Sequence, residues 1–237
     1  MRIGIFDSGI GGINVLSELI KKYPNNEYIF YGDTKNLPYG NKTKKELYQL
    51  ACHIIDFLLT KKVDIIIVAC GTISSTCFKK LKKKYHLPIY DIISPTLKYI
   101  QDNKLDNIGV IGTVKTIESN IFNISKKNIL MHATPSFVPI IENDEIELKK
   151  EEILQELKIF HQCDYLILGC THYPLLKNII EENMQVKTID MGKCLCNSLD
   201  ITNNGKIKIE LYFSLVGVNL IVNIDKIIKC DYQIYAI

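Results

Sequence analysis

At 237 residues, with 47% hydrophobic and 23% charged positions, the chain has the composition of a globular protein able to bury a substantial core. Its net charge of +3, from 29 basic and 26 acidic residues, is too balanced to imply nucleic acid or a membrane surface as partner. No apolar run approaches the roughly 18 residues of a spanning helix, and no cleavable signal pattern precedes the first strand, so a cytoplasmic protein with reduced thiols is expected.

The elements alternate as βαβ units require. Residues 3–7 read as a strand, and Gly9, Gly11 and Gly12 open a turn into an amphipathic helix near 13–22. That turn lacks the G-x-G-x-x-G spacing of a dinucleotide site, and no Walker lysine motif stands elsewhere. A second strand at 28–31 ends in Gly32-Asp33-Thr34. Thr43 and Glu46 make a capping box ahead of a helix with Leu47, Leu50, Ala51, Ile54, Ile55 and Leu58 on one face. A strand at 65–69, a lysine-rich helix whose charges over 79–84 read as a solvated face, and a strand at 88–93 closed by Ser94-Pro95 follow. A short Pro-containing crossing near 92–96 is read as the boundary between halves.

The second half repeats this rhythm, with strands near 108–111, 129–133, 165–168 and 186–190 and helices near 116–124, 145–160 and 174–184. Beyond about residue 200 the pattern weakens to an alternating strand at 206–211 and a last helix over 218–229. The halves also share details. Gly4 and Gly109 lie 105 positions apart in similar strands, and Cys70 and Cys170 lie 100 apart, each closing an apolar strand and each followed by a threonine motif. The expected fold is therefore α/β: two similar Rossmann-like domains with mainly parallel sheets facing each other across a central cleft. Residues 1–93 with about 201–237 would form the first domain and 94–200 the second.

Cys194 and Cys196 have the wrong spacing for a zinc knuckle, and no metal site is expected. Cys52, Cys77, Cys163, Cys194, Cys196 and Cys230 read as small packing residues. Cys70 and Cys170 differ because their strands reach the carboxyl end of a parallel sheet, where open α/β sheets do their chemistry. Each is expected just before a helix, whose dipole favours a thiolate. Thr72, Ser74 and Ser75 supply hydroxyls beside the first cysteine and Thr171 beside the second. His172 is positioned to exchange a proton with Cys170, and Asp7 with Cys70. Two acid/base groups on opposite sides of one carbon permit a 1,1-proton transfer, which needs no metal and no electron-sink cofactor if hydrogen-bond donors hold the substrate.

Several segments carry a closer resemblance: Gly4-Ile-Phe-Asp7-Ser8-Gly-Ile-Gly-Gly12, Tyr31-Gly-Asp33-Thr34, Leu37-Pro38-Tyr39-Gly40, Ala69-Cys70-Gly71-Thr72, Gly109-Val-Ile-Gly112-Thr113, Phe137-Val-Pro-Ile-Ile-Glu142, and Gly169-Cys170-Thr171-His172-Tyr173-Pro174. Together they resemble the cofactor-independent aspartate/glutamate racemase family. The resemblance implies that Cys70 serves the D-enantiomer and Cys170 the L-enantiomer of glutamate. Asp7 would assist Cys70, His172 would assist Cys170, and Glu142 would tune His172. It further implies substrate contacts from Asp7, Ser8, Pro38, Tyr39, Gly40, Gly71, Thr72, Thr113, Thr116 and Thr171, a D-glutamate product used for peptidoglycan, and a homodimer. One position departs from the family: Gly71 stands where asparagine is usual, so donors toward the substrate are lost. That departure keeps two alternatives in view, a racemase of aspartate, another amino acid or a hydantoin, and a weakened relative that only binds an acidic ligand or a partner protein.

Overall fold

The computed structural model describes residues 1–217 and 220–237. Strands β1 (Arg2–Asp7), β2 (Glu27–Gly32), β3 (Ile65–Val68) and β4 (Ile89–Asp91) are joined from the far end of the chain by β9 (Lys208–Phe213) and β10 (Gln233–Ala236). They form one parallel sheet in the order β10-β9-β2-β1-β3-β4. A second parallel sheet holds β5 (Ile108–Gly112), β6 (Ile129–Ala133), β7 (Tyr165–Leu168) and β8 (Lys187–Asp190), in the order β6-β5-β7-β8. Within each half the same relative order recurs, second strand, first, third, fourth. The internal echo in the sequence is thus an echo of topology, and the expected α/β class with two facing parallel sheets is the observed one.

Continuous apolar runs place these strands indoors. Ile65–Val68 are all buried, as are Leu166–Leu168, because helices cover both sheet faces. One core is shared between the halves: Ile5, Ile13, Leu16 and Ile67 pack in the same cluster as Val110, Ile167, Ile189 and Leu195. Helices α1 (Gly12–Lys22), α5 (Ile93–Asp102) and α10 (Met191–Ser198) fill this middle layer and pack on one another. Each sheet then has its own outer core. Helix α2 (Lys44–Thr60) lays Leu47, Ile54, Ile55 and Leu58 on the first, and α8 (Lys150–Leu157) lays Ile153 and Leu157 on the second. Burying each such side chain contributes about 1.5–3 kcal/mol.

The capping box forms as expected. Glu46 N donates to Thr43 Oγ1 at 3.3 Å, and Thr43 N donates back to Glu46 Oε2 at 2.8 Å. The lysine-rich stretch is α4 (Phe78–Lys84), with Leu81 buried and the lysines outside, and a separate short helix, α3 (Gly71–Thr76), precedes it. Other boundaries move. The expected crossing near 92–96 is helical: it opens α5, which leads from β4 of the first sheet toward β5 of the second. The Asp91 carboxylate accepts from Ile93 N and Ser94 N at 2.7 and 2.8 Å, and Pro95 occupies a first-turn site where its missing N–H costs nothing. The helix expected at 116–124 is only α6 (Val114–Glu118), closed by Asn120 at φ 53°. The expected 145–160 helix shortens to α8, which a 3-10 turn over Lys158–Phe160 continues, and α7 (Phe137–Glu142) arises where no helix was expected. Of the last expected helix, residues 218 and 219 lie outside the described residues, while α11 (Leu220–Ile227) forms. Strand β10 was also unexpected; its short run is mostly exposed and, among the described residues, pairs only along β9.

Candidate active site

In each sheet the strand order reverses direction between the first and third strands, β1 with β3 and β5 with β7. Such switch points open a crevice beyond the strands' carboxyl ends. Asp7 ends β1, Cys70 follows β3, Thr113 follows β5 and Cys170 follows β7, so both thiols emerge at the switch point of their own sheet. The two sheet ends face each other across a cavity of about 430 Å³ lined by both cysteines. The walls come from the segments that leave β1, β2, β3, β5, β6 and β7.

The cavity gathers most of the residues singled out from the sequence: Ser8, Pro38, Tyr39, Gly40, Cys70, Gly71, Thr72, Thr113, Glu142, Cys170, Thr171 and His172 all line it. Asp7 and Thr116 do not; both are fully buried one contact behind the wall. Sequence reasoning missed Thr134, Val138, Asn143 and Tyr173, which complete the second half's wall. Tyr173 adjoins the Cys170 motif, and its hydroxyl meets Thr134 Oγ1 at 2.8 Å. Among the described residues no lysine or arginine lines the cavity. Anions there would rest on hydroxyls, backbone N–H groups and His172.

The two thiols sit in different settings. Cys70 caps α3, with Sγ 3.6 Å from Ser8 Oγ. Burial, and then the charge of Asp7, push the Cys70 thiol up to about 12. The expectation that a helix dipole would favour its thiolate is reversed, because desolvation outweighs a helix of only six residues. Asp7 makes no hydrogen bond to Cys70. Its Oδ2 accepts from Gly9 N and Gly12 N at 3.1 Å each, and its carboxyl is raised by burial against the pull of His172 and those N–H groups.

No α-helix begins at Cys170. A 3-10 turn over Tyr173–Leu176 intervenes before α9 (Lys177–Asn183), the remainder of the helix expected at 174–184, so the second expected helix dipole starts too far along the chain to act on the thiol. Its partner is an imidazole instead. His172 Nδ1 lies 3.6 Å from Cys170 Sγ, and His172 Nε2 lies 3.0 Å from Glu142 Oε1. Glu142 is the last residue of α7, whose Phe137, Ile140 and Ile141 are anchored in the core. Burial alone would lower the imidazolium's pKa. The hydrogen bonds to Cys170 and Glu142, with their charges, outweigh it and leave His172 pushed up to about 10. An imidazolium donates from both ring nitrogens, which suits a sulfur on one side and a carboxylate on the other.

The segment after β3 meets the second half at the cavity in two places. Thr72 Oγ1 meets Thr113 Oγ1 at 3.0 Å, and Thr113 Oγ1 meets Thr116 Oγ1 at 3.0 Å, giving a hydroxyl chain from α3 to α6. Gly71 approaches Gly169 so closely that a Cβ at position 71 would stand 2.7 Å from the Gly169 carbonyl oxygen. The space expected for an asparagine side chain at 71 is occupied by the backbone of the opposite half.

The fold recurs among known proteins. A family described as Asp/Glu/hydantoin racemase matches residues 13–199. A curated glutamate racemase of Aquifex aeolicus is 38% identical over 231 residues, covering 93% of this chain and 91% of that one. The crystal structure of a Bacillus anthracis glutamate racemase superposes with a TM-score of 0.92 at 25% identity, covering 100% of this chain and 97% of that one. A Francisella tularensis glutamate racemase solved with D-glutamate gives 0.86 at 27% identity, with 100% and 97% covered.

Proposed function

The chain belongs to the Asp/Glu/hydantoin racemase family, and we propose that it interconverts L- and D-glutamate by proton transfer between Cys70 and Cys170. The observation that carries this reading is that thiols from two separate sheets line one cavity. A substrate α-carbon held between them is open to a base on one face and an acid on the other.

In the L-to-D direction Cys170 takes the α-proton and Cys70 delivers a proton to the opposite face. A thiol pushed up to about 12 is protonated at neutral pH, which suits Cys70 to the donor role. His172, held by Glu142 in its charged form, donates to the Cys170 sulfur and supplies a positive charge beside the carbanion-like transition state. In the reverse direction the roles exchange: Cys70 must then be the base, with Ser8 its hydrogen-bonding partner and Asp7 the buried carboxyl behind it. Thr72, Thr113 and Thr171 hydroxyls, with Ser8, are the donors we assign to the two substrate carboxylates. We place the enzyme in the cytoplasm, in keeping with eight free cysteines, and assign its D-glutamate to peptidoglycan synthesis.

The test is racemization of each glutamate enantiomer by wild type, Cys70→Ala, Cys170→Ala and the double variant. Each single variant is expected to lose about 10²–10⁴-fold in kcat, the usual worth of a positioned acid or base. Racemization that survives in the double variant removes the proposal.

A further inference from the structure

The turn leading into α1 and the first turn of that helix follow a strand of the first sheet, yet they hold the loop of the second thiol. Asn14 Nδ2 donates to the Thr171 carbonyl oxygen at 2.8 Å, a contact between residues 157 positions apart. Thr171 Oγ1 lies 3.3 and 3.4 Å from the two Asp7 carboxylate oxygens. A Cβ on Gly11 would stand 2.5 Å from His172 Nδ1 and 2.4 Å from Thr171 Oγ1, so the bare Gly11 backbone is the surface on which the imidazole rests.

The loop needs such support because Thr171 and His172 lie before the 3-10 turn and the α-helix that follow, and so their N–H groups have no helical hydrogen bonds to hold them. The Thr171 carbonyl lies in the peptide plane that joins Thr171 to His172. Holding its oxygen restrains the torsions on both sides of that plane, and with them the direction in which His172 leaves the backbone. His172 faces the sulfur at 3.6 Å, a distance at which a small rotation makes or breaks the contact.

We propose that Asn14 is a positioning residue for proton transfer at Cys170: by gripping the Thr171 carbonyl it sets His172 against the thiol, so one half of the molecule aligns the acid/base pair of the other. This inference rests on the racemase reading. Lys22 is the natural control, because it makes the same kind of contact from the far end of α1. Its Nζ donates to the Cys196 carbonyl at 2.8 Å, outside the cavity.

The experiment compares wild type, Asn14→Leu, Asn14→Ala and Lys22→Met. Turnover, KM and primary isotope effects are measured with α-deuterated L- and D-glutamate, alongside thermal unfolding. Loss of one neutral hydrogen bond from a positioned group predicts that kcat falls about three- to tenfold in both Asn14 variants, with KM little changed. The isotope effect should rise for L-glutamate, whose α-proton is assigned to Cys170, and not for D-glutamate. Lys22→Met should shift unfolding without this asymmetry. Equal isotope effects for the two enantiomers in an active Asn14 variant, or an effect on melting alone, overturn the inference while leaving racemization intact. Should Asn14→Leu fail to fold, Asn14→Ala carries the same test. An inactive wild type removes the racemase reading and this inference with it.

Discussion

The two thiols occupy equivalent places in equivalent sheets, yet their surroundings are not alike. Cys70 starts a helix, touches a serine hydroxyl and stands before a buried carboxyl. Cys170 starts a loop and touches an imidazole held by a carboxylate. Duplicated topology supplies two-sided access to one carbon, and the local neighbours then divide the proton chemistry. Burial keeps the first sulfur protonated, while the second faces a fixed positive charge. Symmetry of scaffold does not demand symmetry of mechanism.

The comparison breaks most sharply at His172. His172→Gln leaves Cys170 without its cation and should cost about 10²-fold in kcat, measured with either enantiomer. Glu142→Gln keeps the ring and an oxygen that accepts from it but removes the charge that holds its proton, which should lower kcat about three- to tenfold, the difference between a charged and a neutral hydrogen bond. It should also move the alkaline limb of the pH profile downward from the neighbourhood of pH 10. The sign follows from a pKa raised on folding from the ordinary 6.5 to about 10. Stability from this pairing is complete below about pH 6.5 and is lost as pH rises through about 10, so melting followed across that window should decline less in Glu142→Gln than in wild type.

Gly71→Asn tests the junction between the two regions. A missing donor would be restored by this substitution and KM would fall. The closeness of the Gly169 carbonyl predicts the opposite: a destabilisation of about 1–3 kcal/mol from overpacking, and a higher KM. Denaturant unfolding and steady-state kinetics on the same sample separate the two outcomes.

The smallest effect on proton transfer is expected at Ser8. Its hydroxyl favours the Cys70 thiolate, so Ser8→Ala should push that thiol further up and slow the direction in which Cys70 is the base. A contact at 3.6 Å to sulfur is weak, and a rise of about twofold in the isotope effect on D-glutamate, with little change on L-glutamate, is the expected reading.

Much of this was legible from the sequence because its signals are local. Apolar runs such as Ile65–Val68 mark buried parallel strands, Thr43 with Glu46 marks a helix start, and matched cysteine contexts mark two sheet ends. The His172–Glu142 pairing was reachable only through resemblance, since α7 has too few residues to show a clear period. What stayed hidden depends on long-range approach. Nothing near Gly71 in the chain announces the Gly169 carbonyl, and nothing near Asn14 announces Thr171. Asp91 capping the turn at Ser94-Pro95 makes the expected crossing a helix, α5, since a capping residue and proline in a first turn read equally well as a loop. Asp7 and Thr116 were singled out by resemblance yet sit behind the wall, because a resemblance records proximity to a site and not which atoms face it.

The most direct measurement follows wild-type enzyme in heavy water, starting separately from L- and D-glutamate, with the label read in substrate and product at early times. Two thiols on opposite faces predict that the first product molecules carry solvent deuterium at the α-carbon while recovered substrate carries almost none, in both directions. Product that keeps the substrate's own proton, or equal labelling of both enantiomers from the outset, would contradict a cavity in which Cys70 and Cys170 divide the work.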